Sequence, residues 1–345
     1  MPKLRIHITN TAFNVANKDD CAIYNEVQAL SSEFKRFLEN LAKRLIEKHN
    51  LRRKTVLEIG CGRGDFLELI CELGNNRGVG IDPCFQERSV EGKKSIGTRF
   101  VKDRFSESHT DLIGDIVICR HTLEHIHPVG NFLNLIRQCI GTRENVIIWF
   151  EVPNMNRILR EGAYWDIYYE HCSYFTCGSL SRSFRTAGFD VLDLGLEYGE
   201  QYISIECKVS SEKKVRPLPL EDKTDDVWES IIKFKQKYKT KRDRWTAFLK
   251  EAMQKGKRIV MWGSGPKGAA FTKGLGLESQ IEYIININPH HQGKYLAGTG
   301  QQVMSPKFLI KYKPDLIISL NPLYQDEIKK QIEYIEIGSD IVSLI

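Results

Sequence analysis

Residues 120 to 128, RHTLEHIHP, place three histidines and a glutamate within nine positions, a set that could move protons near neutral pH or hold a metal ion. From His121 the first five residues, H-x-x-E-H, match a pattern found in one class of zinc peptidases. Those enzymes need the motif inside a helix and a carboxylate ligand far downstream. Here the preceding DIVICR reads as a strand, so His121 is expected to leave a strand end and no metal is expected. His125 and His127 read as packing or solvent-facing residues near a helix start.

A second group follows in YYEHCSYFT, residues 168 to 176. Tyr168, Glu170 and His171 stand within four positions and Tyr174 comes next, offering general bases, hydrogen-bond donors and apolar walls. A third group, VLEIGCGRGDF at 56 to 66, runs a buried apolar strand into Gly60, Gly62 and Gly64 and then into a helix. Glycines there let the backbone turn tightly and approach a ligand at the strand's carboxyl end. The next strand, GVGID, ends in Asp82, whose carboxylate could accept both hydroxyls of a ribose. Counted from Gly60, a nicotinamide-type G-x-G-x-x-G would need glycine where Asp65 stands, and an acid at a helix start suits a cationic sulfonium ligand better than a pyrophosphate.

The elements that must position these groups alternate. An amphipathic helix is expected over 27–49, then TVLEIG strand, GDFLELICEL helix, GVGID and DIVICR strands, VGNFLNLIRQCI helix and NVIIWFEVP strand. FDVLDLGLEYG and QYISIECKV form an antiparallel hairpin closing the edge. The fold class expected is α/β, a doubly wound Rossmann-like sheet with that closing hairpin, followed by a second, smaller Rossmann-like α/β domain. The expected division is 1–50 as N-terminal segment and helix, 51–209 as the first domain, 210–255 as linker and long basic helix, and 256–345 as the second domain.

Composition fits this. The chain has 345 residues, 41% hydrophobic and 27% charged, enough for two cores. The net charge of +6 has its densest run from Lys233 to Arg244, which reads as the solvated face of a helix and not as a nucleic-acid surface. No apolar stretch is long enough for a membrane span and none resembles a signal peptide. Nine cysteines form no C-x-x-C pair, and Cys61, Cys71, Cys119, Cys139 and Cys207 read as packed, reduced thiols, so a cytoplasmic protein is expected. Oligomeric state is open.

In order, E-x-G-x-G-x-G from Glu58, the acid Asp82, R-H-x-x-E-H-I, E-V-P-N and Y-x-E-H-x-x-Y-F-T resemble the sugar C-methyltransferase family, a class I methyltransferase domain dependent on S-adenosylmethionine (SAM). GSGPKGAAF (263–271), NPHHQGKYLAGTG (288–300), SPKFL and NPLYQDEI resemble that family's C-terminal domain. The resemblance implies SAM as cofactor, held by Glu58, Gly60, Gly62, Gly64, Asp82 and Asp103, and a nucleotide-linked keto-sugar as substrate. It implies His171 as base, with Tyr168, Glu170 and His121 assisting. Asn154, Tyr174, Gly263, Gly265, Lys267, Lys294 and Tyr295 are the substrate-binding candidates. The family's usual N-terminal zinc-binding domain is expected to be missing. Gly263, Gly265 and Gly268 fit a dinucleotide loop, yet the following strand ends in Asn286 and Asn288 and not in an acid, so NAD is not expected there. An O- or N-methyltransferase acting on a sugar or phosphorylated metabolite remains the alternative, and a non-catalytic SAM-binding protein a remote one.

Overall fold

A computed structural model of the chain describes residues 8–14, 30–86, 97–210, 216–277 and 280–344. The start of the expected first helix (27–29) and part of the expected linker (211–215) lie outside the described residues. The described residues divide into two compact units, one taking 8–14, Phe37–Asn156 and Tyr169–Trp228, the other 30–36, Arg157–Tyr168 and 229–344.

In chain order the first unit's elements are β1 (Ile8–Thr9), α1 (Ser32–His49, whose first residues belong to the other unit), β2 (Thr55–Ile59), α2 (Asp65–Gly74), β3 (Arg77–Ile81), β4 (Thr98–Val101), β5 (Ile116–Arg120), α3 (Val129–Ile140), β6 (Ile147–Pro153), α4 (Met155–Glu161, whose end belongs to the other unit), β7 (Ser173–Tyr174), α5 (Cys177–Thr186), β8 (Phe189–Glu197) and β9 (Tyr202–Val209). Seven strands form one sheet in the order β4-β3-β2-β5-β6-β9-β8, parallel except that β9 runs against β6 and β8. Val56, Leu57, Ile116, Val117, Ile118, Ile148 and Phe150 are buried, as expected of central strands covered on both faces. The strand order reverses between β2 and β5, so the crevice at their carboxyl ends is where such a sheet takes ligands. One pairing was not expected from the sequence: β1 runs antiparallel to β7, Ile8 opposite Tyr174 and Thr9 opposite Ser173.

The second unit holds α6 (Thr224–Gln254, which begins in the first unit), β10 (Ile259–Trp262), α7 (Pro266–Leu275), β11 (Tyr283–Ile285), β12 (Gln302–Met304), α8 (Phe308–Tyr312), β13 (Leu316–Ser319), α9 (Gln325–Tyr334) and β14 (Asp340–Ser343). Its five strands are all parallel, in the order β12-β11-β10-β13-β14. Only Leu249 and Ala252 of α6 are buried, which accords with a largely solvated basic helix. β12 and α8 are too short to produce a readable period.

Two boundaries differ from the expected ones. The division falls inside α6, because the helix outruns the linker, and residues 157–168 of the first expected domain pack with the second unit through Ala163, Tyr164 and Trp165. The five cysteines read as reduced are free and buried. Cys84, however, is disulfide-bonded.

Candidate functional site

The loop after β2 is shaped by its glycines. Gly60, Gly62 and Gly64 all have positive φ, at 73°, 54° and 83°. A Cβ at Gly60 would lie 2.0 Å from Thr122 Oγ1, and one at Gly64 would lie 2.4 Å from the Phe100 ring. At Gly62 the same atom would meet nothing within 4 Å. Two glycines therefore admit protein neighbours, and the third leaves open space above the loop. Asp82, buried just past β3, accepts the Gly62 N–H through Oδ2 (2.8 Å) and the Cys84 N–H through Oδ1 (2.7 Å), which braces the loop while leaving each oxygen a further lone pair. Glu58 points from β2 into the interior with Oε2 unpartnered. Burial pushes its carboxyl up to about 8, against the Arg120 charge and with the help of Asp65 and Asp82.

Next to this loop, β5 delivers His121 with φ 48°, a left-handed conformation uncommon for a residue with a side chain. Its N–H donates to the Glu151 carbonyl on β6 (2.9 Å). The ring Nε2 lies 3.0 Å from Glu151 Oε1, close enough for an ion pair though not aligned as a hydrogen bond, and Nδ1 lies 3.8 Å from Glu124 Oε1. Burial disfavours the imidazolium, yet Glu124 and Glu151 outweigh it and raise His121 to about 9. Glu151, 0% exposed, also accepts two hydrogen bonds from Arg120 at 3.0 and 2.8 Å. Although burial works against its charge, Arg120 and then His121 hold the carboxyl down at about 2. Tyr202 meets the His121 ring edge-on at 4.3 Å.

The H-x-x-E-H stretch continues as a short 3-10 turn, Leu123–His125, and not as an α-helix. Glu124, His125 and His171 bring a carboxylate oxygen and two ring nitrogens within 4.8 Å of one another. Neighbouring ligands on a tetrahedral zinc are about 3.4 Å apart, so closing on an ion would require these groups to move inward. His125 Nδ1 lies 3.1 Å from the Glu170 carbonyl oxygen, and its ring stands edge-on to His171 at 4.8 Å. The loop bearing His171 is pinned by the β1–β7 pairing, by Asn10 N–H donating to the Cys172 carbonyl (3.0 Å), and by Asn10 Nδ2 donating to the Tyr169 carbonyl (3.1 Å).

The glycine loop, a carboxylate just past the next strand and paired histidines thus share the carboxyl edge of the seven-stranded sheet. Residues 29–194 match a methyltransferase domain and residues 215–345 a C-methyltransferase C-terminal domain. These matches mark a SAM-dependent methyltransferase. Among curated proteins this methyltransferase is 25% identical over 303 residues to the C-methyltransferase NovU of Streptomyces niveus, covering 83% of this chain and 71% of NovU. Solved structures similar to it include a 1,6-didemethyltoxoflavin-N1-methyltransferase of Burkholderia thailandensis with bound S-adenosylhomocysteine (18% identity, 53% of this chain and 82% of that one, TM-score 0.39). Another is the magnesium protoporphyrin IX methyltransferase of Synechocystis (13% identity, 54% and 90%, TM-score 0.38).

Other candidates in the methyltransferase are placed as follows. Asp103 is largely exposed past β4, with Oδ1 accepting the Arg104 N–H. Asn154 is buried, its amide donating to the Glu200 carbonyl and accepting from the Asn156 N–H. Tyr174 lies 5.7 Å from the His171 ring. Tyr168 belongs to the second unit, where its hydroxyl donates to Asp166 Oδ1 (3.2 Å). Lys267 forms an ion pair with that same oxygen (2.8 Å). Gly263 (φ 114°) and Gly265 flank Ser264, whose hydroxyl is within hydrogen-bond reach of His291 Nδ1 and accepts from Asn286 Nδ2. Lys294 is exposed, as is Tyr295 at 67%.

Sequence reasoning did not single out Arg120, Glu151, Tyr202 or Asn10, it noted Glu124 only within the H-x-x-E-H pattern, and it read His125 as a packing or solvent-facing residue. Glu124 and Glu151 sit inside motifs quoted above, and a carboxylate in an otherwise apolar strand end is the signal that could have found Glu151. Asn10 and Tyr202 carry no such signal.

Proposed function

We propose that this enzyme methylates carbon, next to the ketone of a nucleotide-linked keto-sugar. The observation that carries the reading is a histidine pair at one edge: half-buried His121 held cationic by two carboxylates, and buried His171 beside Glu124 and His125. The C-methyltransferase C-terminal domain and the likeness to NovU support it.

A carbon next to a carbonyl becomes a nucleophile only when its proton is removed and the enolate oxygen is stabilised. His171 takes that proton, and the C–H electron pair moves into the enolate. His121 supplies positive charge and a donor to the enolate oxygen. Glu170, Asn154 and Tyr174 orient the sugar. SAM supplies the methyl as an electrophile on a sulfonium, so the new C–C bond forms as the C–S bond breaks and S-adenosylhomocysteine leaves neutral. Gly60, Gly62, Gly64, Asp82, Glu58 and Asp103 hold SAM, and the open space above Gly62 with the Asp82 carboxylate beside it fits a ligand that brings its ribose against the backbone.

The test incubates the enzyme with SAM bearing a deuterated methyl group and a panel of nucleotide-linked 4-keto-sugars. The expected product carries the labelled methyl through ether-cleaving conditions, and His171→Ala abolishes both methyl transfer and exchange of the sugar's α-hydrogen with solvent. A label lost with ether cleavage would favour O-methylation instead. Near-full activity in His171→Ala would remove this residue from the mechanism.

A further inference from the structure

Glu124 is 1% exposed, and it belongs to both histidine sites at once. Its Oε1 lies 3.8 Å from His121 Nδ1, and it shares the 4.8 Å cluster with His125 and His171. Its Oε2 has no hydrogen-bond partner. The short turn that carries it is fixed from two sides. Thr122, just before the turn, packs against Gly60 of the glycine loop, and the Cys172 thiol donates to the Glu124 carbonyl at 3.2 Å.

We infer that Glu124 is a positioning residue shared by the two histidines, one carboxylate that keeps His121 cationic and receives the charge appearing on His171 when it takes a proton. The inference rests on His171 acting as the base. Both roles need a negative charge that stays in place while protons move around it, and a buried carboxylate with a free oxygen provides it at little reorganisation. Among the described residues, the titratable groups facing Glu124 are Cys119 on β5, His121 just past it, His125 on its own turn, and His171 and Cys172 from the loop before β7, with Glu151 of β6 on the far side of His121. Burial penalises the Glu124 charge, but His121 and then His125 and His171 hold its carboxyl below the usual range, so it is ionised wherever the enzyme works. Glu151 differs in that its Oε1 already accepts two hydrogen bonds from Arg120, and it is not part of the cluster that holds His171.

The experiment is an NMR titration of the His121 and His171 rings in the full chain, comparing wild type, Glu124→Gln and Glu124→Asp, with the pH profile of kcat/KM measured alongside. In Glu124→Gln both titrations should fall by one pH unit or more, about a tenfold change in each protonation constant. The basic limb of the kcat/KM profile should move with them, and Glu124→Asp should restore part of each shift. Should Glu124→Gln fail to fold, Glu124→Asp is read alone: drawing the carboxylate back from the two rings should lower both titrations. Unmoved histidines in Glu124→Gln, or in Glu124→Asp where that is the variant that folds, would overturn the inference, as would movement of His121 alone. The titrations are read on the resting protein. A wild type that methylates no keto-sugar would therefore sink the proposed reaction while leaving the shared-carboxylate result to be judged separately.

Discussion

Alanine at Gly60 and alanine at Gly62 should damage the protein in different ways. Both positions have positive φ, where adding a Cβ costs about 1–2 kcal/mol. At Gly60 the new atom would also lie 2.0 Å from Thr122 Oγ1 and 2.7 Å from its Cγ2, and relieving such overpacking costs about 1–3 kcal/mol more. Gly60→Ala should therefore lose about 2–5 kcal/mol and Gly62→Ala about 1–2 kcal/mol. For a unit of this size each kcal/mol moves Tm by about 2–4 °C, so thermal unfolding at one pH separates the two. Calorimetric titration with SAM should give the reverse emphasis. The Gly62 methyl would enter space that no protein atom fills, and SAM affinity should fall at least tenfold, about 1.4 kcal/mol. Thr122→Gly placed in the Gly60→Ala chain should return part of the lost stability. Wild-type SAM affinity in Gly62→Ala, or wild-type Tm in Gly60→Ala, would refute the assignment of these glycines to ligand and to protein.

Two further outcomes follow from the buried carboxylates. Glu58 is raised to about 8, so the unfolded chain ionises first and wild-type stability is lost as pH climbs from about 4.5 to about 8. Glu58→Gln lacks that loss: it should match wild type near pH 5 and exceed it by on the order of 4 kcal/mol at pH 8 and above, read as Tm against pH. Glu151→Gln leaves Arg120 buried without its carboxylate and should cost about 3–5 kcal/mol at neutral pH. The sign differs for the two partners. The lowered Glu151 stabilises above its unfolded value and that stability is lost toward pH 2, whereas the raised His121 stabilises below about 6.5 and its share is lost as pH rises through about 9. A Tm profile of Glu151→Gln as curved as that of wild type at both ends would contradict the pairing.

Much of the first unit was legible because its strands are covered on both faces and read as short apolar runs. TVLEI, DIVICR and IIWFEVP lie where β2, β5 and β6 form, and the hairpin of β8 and β9 closes the edge as expected. The glycine loop was equally legible, since three alternating glycines between a strand and a helix mark a backbone that must turn through positive φ where side chains would obstruct it. The two-residue pairing of β1 with β7 was not, because no period can be read from so few residues. Nor was the second unit's claim on residues 157–168, which depends on Tyr164 and Trp165 finding Phe271 in α7.

Local sequence thus determined the strands, the glycine turn and the residue types present at the site, because turn chemistry and apolar periodicity act over a few neighbours. Tertiary structure decided how those residues work together. Glu151 meets His121 only because β5 and β6 pair in register, with Arg120 opposite Glu151. His171 reaches Glu124 across 47 positions of chain only because β1 and β7 hold its loop there. The charge of a buried histidine depends on which carboxylates surround it, and those neighbours are set by the fold.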